Sequence, residues 1–176
     1  LLSDIKNVFS EDSEDSRGLA FDVGEDKFNF TLSDKKDIKI TSKIDKLSDV
    51  DVKYPLIKPF AYAHVKWDNE EKAIIYRVIE PDLNEEDQEI LNMIKENLSE
   101  KIDVSLSAMQ GREKIISYIE GKLNDILLEL GLNLTEEQHD KVLYYLYRDF
   151  VGLGKTEPFM HDPYIEDLGC AGTGTP

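Results

Sequence analysis

Phe60-Ala61-Tyr62-Ala63-His64-Val65-Lys66-Trp67, then Asp68-Asn69-Glu70-Glu71, then Lys72-Ala73-Ile74-Ile75-Tyr76-Arg77-Val78-Ile79-Glu80, is the stretch that decides the fold class of this chain. The first eight residues read as a strand and the last nine as its return. The polar link between them offers Asp and Asn, whose side chains bond their own backbone in turns. A β-hairpin over residues 60–80 is the prediction. Pro55, Pro59 and Pro81 punctuate its ends, where a missing N–H costs a ladder little.

Beyond Pro81 the period becomes helical. Asn84 is a good N-cap, and Glu85, Glu86 and Asp87 suit the positive end of a helix dipole. Ile90, Leu91, Ile94 and Leu98 fall on one stripe. A second helix is expected from about Ser107 to Leu130. It carries Ile115, Ile116, Ile119, Leu123, Ile126, Leu127 and Leu130, and Gly131 supplies its stop. Thr135-Glu136-Glu137-Gln138 has the capping-box pattern that opens a third helix, with Val142, Leu143, Leu146 and Phe150 inward. That helix should end by Gly152-Leu153-Gly154. Short connections favour compact antiparallel packing of the three. In the tail, Tyr164-Ile165-Glu166-Asp167-Leu168 reads as a short strand. Ala171-Gly172-Thr173-Gly174-Thr175-Pro176 reads as a turn without a second strand, so the natural chain is expected to continue.

Upstream, Glu11-Asp12-Ser13-Glu14-Asp15-Ser16 reads as a charged loop. Phe28, Phe30 and Leu32 alternate with polar residues. Ile38, Ile40 and Ile44 continue in a second short strand after a Ser33-Asp34-Lys35-Lys36 turn. Such a small hairpin is marginal alone and must pack on something. The expected class is therefore α+β: N-terminal β-hairpins packed with a three-helix antiparallel bundle, followed by the first strand of a further α+β subdomain. The expected division is 1–52 as an acidic extension, 53–157 as hairpin plus three helices, and 158–176 as the start of a second subdomain.

Lys and Arg number 21 against 37 Asp and Glu, a net charge of −16. Nucleic-acid binding needs clustered positive charge, so nucleic acid is not an expected partner. Anionic membrane surfaces are disfavoured on the same ground. A basic partner is allowed, and cytoplasmic loops of membrane proteins carry an excess of Lys and Arg. Cys170 is the only cysteine, so no internal disulfide forms and a reducing compartment fits. No apolar run approaches the roughly 20 residues that span a bilayer. The first residues, Leu1-Leu2-Ser3-Asp4, lack the basic and apolar regions of a signal peptide. The absence of an initial Met suggests a trimmed start or an unseen leader. A cytoplasmic location is expected.

Chemistry-bearing patterns are sparse. Gly152-Leu153-Gly154-Lys155-Thr156 resembles part of a phosphate loop, but that loop needs a glycine where Asp149 stands and a strand before it. A helix C-cap and turn is the better reading. Glu136-x-x-His139 has the spacing of carboxylate-bridged metal sites, which need two copies and two more inward glutamates. His64 and His161 have no ligand cluster near them in sequence. Cys170 has no basic neighbour or helix start to lower its pKa. Tyr144, Tyr145 and Tyr147 read as core and contact surface rather than as a base-stacking platform. No catalytic, cofactor-binding or metal residue is expected.

Two stretches carry a resemblance. Tyr54-Pro55-Leu56-Ile57-Lys58-Pro59-Phe60-Ala61-Tyr62-Ala63-His64-Val65, followed by Tyr76-Arg77-Val78-Ile79-Glu80-Pro81, looks like the opening hairpin of archaeal type II and type IV secretion-system ATPases. These are the motors of pilus and archaellum assembly. Tyr147-Arg148-Asp149-Phe150-Val151-Gly152-Leu153-Gly154, then Glu157-Pro158-Phe159-Met160-His161-Asp162-Pro163-Tyr164-Ile165-Glu166-Asp167-Leu168, resembles the family segment in which a helix end leads to a strand. The family usually has Arg or Lys where His161 stands. The likeness runs from about Tyr54 to Pro176.

The resemblance implies a homo-hexameric ring ATPase whose nucleotide-binding motor, with its ATP and Mg, follows this region. None of the motor's motifs falls within residues 1–176, so this segment is expected to have no catalytic activity and to be a monomer by itself. Its implied role is to position the ring against a polytopic membrane platform protein and adaptor proteins, and to pass on the motion of its own C-terminal motor. Two other readings are a free-standing acidic adaptor and a small hydrolase or metal enzyme.

Overall fold

The computed structural model describes residues 31–33, 45–102, 109 and 111–169. They form four strands, β1 (Thr31–Leu32), β2 (Asp51–Lys58), β3 (Ala61–Asp68) and β4 (Ala73–Ile79). Four helices follow, α1 (Glu85–Lys101), α2 (Arg112–Leu130), α3 (Glu136–Leu146) and α4 (Glu157–Met160). The class is α+β, as the sequence predicts. The residues divide into a sheet unit, which ends at Glu80 and resumes at Pro158, and a helical unit, Pro81–Glu157. The helical unit is therefore an insertion between β4 and a segment that rejoins the sheet unit. The expected boundary at 52/53 lies inside β2.

In the sheet unit the strands run in the order β1-β2-β3-β4, every neighbouring pair antiparallel. β3 and β4 are the predicted hairpin, paired from Tyr62 with Ile79 to Asp68 with Ala73. Asp68 Oδ1 accepts the backbone N–H groups of Glu70 (2.9 Å) and Glu71 (3.0 Å), so the turn is closed by a side chain, as Asp does in such links. The same two donors hold the Asp68 carboxyl below its usual pKa.

β2 is a strand that the proline punctuation concealed. Val50, Val52, Tyr54 and Leu56 are buried while Asp51 and Lys53 are exposed, the period-2 pattern of a half-buried strand. Pro55 is tolerated because the register shifts between Pro55 and Ile57, and a bulge is one of the few places where a strand accepts proline. The bulge also turns Leu56 and Ile57, consecutive in sequence, both into the interior. β1 pairs with the end of β2, Thr31 with Lys58 and Leu32 with Ile57. The rest of the expected upstream hairpin (Phe28, Phe30, Ile38, Ile40 and Ile44) lies outside the described residues, as do the 11–16 acidic run, Ser107, Cys170 and the 171–176 turn.

The helical unit begins as predicted. Asn84 Oδ1 accepts the Asp87 N–H at 2.7 Å, and Leu91, Ile94 and Leu98 of α1 are buried. Ile90 is half-buried at the border of that stripe. In α2, Ile119, Leu123 and Ile126 are buried, whereas Leu130, at its C-terminal end, is exposed. Gly131 takes the left-handed conformation, φ 64°. The N–H of Leu132 bonds Leu127 and that of Gly131 bonds Leu128, which satisfies the last carbonyls in a Schellman motif. Thr135 and Gln138 cap α3 reciprocally, at 3.2 and 3.1 Å. The helical path then continues through a π-turn, Tyr147–Val151, and closes at Gly152, with Phe150 half-buried.

The expected antiparallel bundle holds only loosely. Gln138 donates to Asp87 at 2.9 Å and Lys95 pairs with Asp149, so α1 and α3 lie side by side in the same direction. Lys101, in the last turn of α1, reaches Glu129, in the last turn of α2, at 2.7 Å. Antiparallel neighbours would hold those residues about 20 Å apart at 1.5 Å per residue, so α1 and α2 bring like ends together.

Gly152 has a steric role. A Cβ there would lie 2.6–2.7 Å from three atoms of the Glu157 side chain. Glu157 is buried and accepts from the Leu153 N–H (2.9 Å), with the Tyr147 hydroxyl at 3.4 Å. Gly152→Ala must displace this carboxylate and is expected to cost about 1–3 kcal/mol. Gly121→Ala, in open space within α2, is expected to stabilise by up to about 1 kcal/mol. Paired thermal denaturation curves check both, and equal midpoints for the two variants would refute the steric account.

Candidate functional site

The polar centre of the sheet unit is Asp162, a carboxylate only 4% exposed. Tyr54 on β2 and Tyr76 on β4 both point to the buried face, because each shares its row with an inward residue of β3: Tyr54 pairs with Ala63, and Tyr76 with Val65. Ala61 and Ala63, fully buried on the central strand, leave room over it. The Tyr54 hydroxyl donates to Asp162 Oδ2 at 2.8 Å and the Tyr76 hydroxyl to the same oxygen at 2.6 Å. The other oxygen, Oδ1, accepts the Tyr164 N–H at 2.8 Å.

The segment carrying Asp162 is shaped for this. α4 ends in tight turns, with His161 N–H bonded to Pro158 and Asp162 N–H to Phe159. The Asp162 side chain then bonds the backbone two residues on, the Asx-turn typical of Asp. Phe159 stacks on Tyr76 at 5.6 Å, and Tyr164 meets Tyr54 edge-on at 5.8 Å. Four aromatic rings thus surround one carboxylate that accepts three donors. This geometry corrects the expected strand at Tyr164-Ile165-Glu166-Asp167-Leu168, which is irregular. The Tyr164 N–H is committed to Asp162 rather than to a ladder, and Glu166 to Leu168 are exposed with no strand beside them among the described residues.

Burial, then the hydrogen bond to Asp162, pushes the Tyr54 and Tyr76 phenols well above the ordinary tyrosine pKa; burial also raises Tyr164. The protonated form is therefore favoured in the folded state. Its stability is complete below about pH 10, where unfolded tyrosine begins to ionise, and is lost as pH rises toward the folded value. Each of Tyr54 and Tyr76 is expected to remove up to about 1.4 kcal/mol per pH unit above 10. Urea unfolding at a series of alkaline pH values, with the Tyr54→Phe variant showing a shallower fall, measures this. A pH-independent midpoint would contradict it.

Chemically, this cluster holds rather than reacts. Its carboxylate is closed to solvent, and three donors occupy most of its acceptor sites. Elsewhere, Asp149 accepts from Arg148 Nε at 2.7 Å and pairs with Lys95. Burial would raise its pKa, but those two cations outweigh burial and keep it below the usual carboxylate range. Asp149 thus ties Lys95 of α1 to Arg148 within the helical unit. The 152–156 loop follows a helix, and its Leu153 N–H is already given to Glu157.

Glu136 is exposed and His139 half-buried, the latter 3.8 Å from Asp140. His64 bonds Asp51 at 2.7 Å. Tyr144, Tyr145 and Tyr147 are buried, and Tyr145 donates to the Pro81 carbonyl at 2.6 Å. Among the described residues no group of three or more His, Cys, Asp or Glu could hold a metal ion. Nor is any described helix long and apolar enough to cross a membrane.

Sequence reading missed Asp162 as a centre. Its partners lie 108 and 86 residues away, and nothing local marks them.

No family model matches the chain. Over 112 residues, 64% of its length, it is 31% identical to uncharacterized protein MJ1288 of Methanocaldococcus jannaschii, covering 44% of that protein. A stretch of 41 residues, 23% of the chain, is 49% identical to uncharacterized protein MJ0900 of the same organism and covers 7% of it. The chain therefore spans less than half of the first relative, and the second carries a matching segment within a much longer protein.

Proposed function

We propose that this chain is the N-terminal assembly and docking region of a hexameric secretion motor ATPase of the pilus, archaellum or type II class. The observation that carries the reading is the Asp162 cluster. The resemblance rests on two stretches far apart in sequence, and Tyr54 and Tyr76 of the first are hydrogen-bonded to Asp162 of the second. Residues that stand out separately for their likeness to one family are thus partners in one buried unit. The match of 41 residues to only 7% of a relative agrees with a module that recurs within longer chains.

In this reading the chain itself is not an enzyme. ATP and Mg belong to the motor, and the segment docks the ring on a membrane platform protein and its adaptors at the cytoplasmic face. Its acidic helices suit a basic cytoplasmic loop, since charge complementarity sets on-rate and register. The net charge of −16 equally suits a free-standing acidic adaptor, the competing reading.

Capture from detergent-solubilised membranes of the source cells, at low and high salt, tests the docking role. The expected partner is a polytopic membrane protein with a basic cytoplasmic loop, released as salt rises. Capture of soluble proteins alone, or binding indifferent to salt, counts against docking.

A further inference from the structure

The outward face of the sheet carries cations that the sheet itself does not need. The register places Lys53 of β2, His64 of β3 and Arg77 of β4 abreast in one row, with Lys66 one step along β3. Like charges directly opposite one another destabilise a sheet. Asp51 answers His64, and Lys53 lies 4.9 Å over the Tyr62 ring. Lys66 and the exposed Arg77 make no hydrogen bond or ion pair among the described residues, beyond a through-space pull on Asp68. On a chain with a net charge of −16, this cationic row, flanked by Tyr62 and Ile79, is an exception calling for an anionic counterpart.

The chain carries one. Glu89, Met93, Glu96 and Glu100 recur at helical spacing on α1 and are all exposed, Met93 at 42%. Glu89 and Glu96 stand about 10.5 Å apart along the axis. Lys53 and Arg77 stand two strand spacings apart, about 9.6 Å. We propose that the outward sheet face of one copy of this chain receives the α1 face of a second copy. Glu89 and Glu96 then meet Lys53 and Arg77, and Met93 lies against Tyr62 and Ile79. The contact joins two different patches, so each copy offers both halves of it: the cationic sheet face and the acidic face of α1. It does not use the exposed acids Asp125 of α2 and Glu136 of α3. The proposal does not require the motor reading, since a free adaptor could assemble in the same way.

The test mixes light and heavy isotope-labelled chain and couples carboxyls directly to amines, with mass spectrometry of the linked peptides. Mixed-label links from Lys53 or Lys66 to Glu89, Glu96 or Glu100 are expected. Arg77→Glu with Lys66→Glu should cut the Lys53 links about tenfold through charge repulsion. Mixing that variant with Glu89→Lys/Glu96→Lys should restore association through the swapped charges, read by sedimentation. Arg77, Glu89 and Glu96 are exposed and Lys66 is half-buried, and unchanged circular dichroism establishes that the variants fold. Links confined to one label, links at other residues, or a yield indifferent to charge reversal would each overturn the proposal. ATP hydrolysis by the full-length product is a separate readout, so failure of this contact leaves the motor reading standing.

Discussion

Asp162→Ala is expected to lower the stability of the sheet unit by about 3–5 kcal/mol, the cost of stranding several buried donors at once. Two phenol hydroxyls and the Tyr164 N–H lose their common acceptor, and each buried donor left unmatched costs about 1–3 kcal/mol. Entry of water into the vacated space relieves part of this, which sets the upper bound below the full sum. Asp162→Asn separates geometry from charge. Its one carbonyl oxygen can serve both tyrosines, but its amide then faces the Tyr164 N–H donor to donor, so a loss of about 1–2 kcal/mol is expected. Tyr54→Phe removes one donor and leaves Asp162 two, for a loss of about 1 kcal/mol. Trp67, the single tryptophan, lies on β3 and reports this unit by fluorescence during urea unfolding. An Asp162→Ala midpoint indistinguishable from the parent's would remove the cluster from its central place.

Leu143→Ala in the helical unit should cost about 2–5 kcal/mol, whereas Leu128→Ala should change stability by less than about 0.5 kcal/mol. Leu143 of α3 is completely buried; its truncation loses transfer energy and leaves a cavity in a unit whose buried residues also include Leu91, Ile94, Leu98, Ile119 and Leu123. Leu128 of α2, only fifteen positions away, is 81% exposed. The two share a residue type, and only their faces differ. Loss of helical circular dichroism during thermal unfolding measures both, and similar midpoints would mean the packing described for α2 and α3 is wrong.

Local signals were legible in the sequence because their physics is local. The Asn84 cap, the Thr135–Gln138 box and the Gly131 stop each involve residues within a few positions, and all three occur as read. The 60–80 hairpin was legible for the same reason. β2 was hidden because Pro55 and Pro59 suggest an end to pairing, and only the bulge makes Pro55 acceptable inside a strand. Tyr164 to Leu168 carries residues suited to a strand, yet strand formation needs a partner, and the Asx-turn at Asp162 takes the first N–H. The like ends of α1 and α2 depend on the connection between them, which helical periodicity does not encode. The candidate site was illegible altogether. A buried carboxylate bound by tyrosines from two strands leaves no spacing pattern, and Asp162 reads as one acid among 37.

The most direct measurement is ATP hydrolysis, with sedimentation, on the full-length product of the gene, after its reading frame has been followed past the codon for Pro176. The account predicts a continuing frame with Gly-x-x-x-x-Gly-Lys-Ser/Thr between a strand and a helix, and a product that hydrolyses ATP as a hexamer while residues 1–176 alone do not. A frame that stops at Pro176, or a full-length product without ATPase activity, would contradict it and leave the acidic adaptor as the reading.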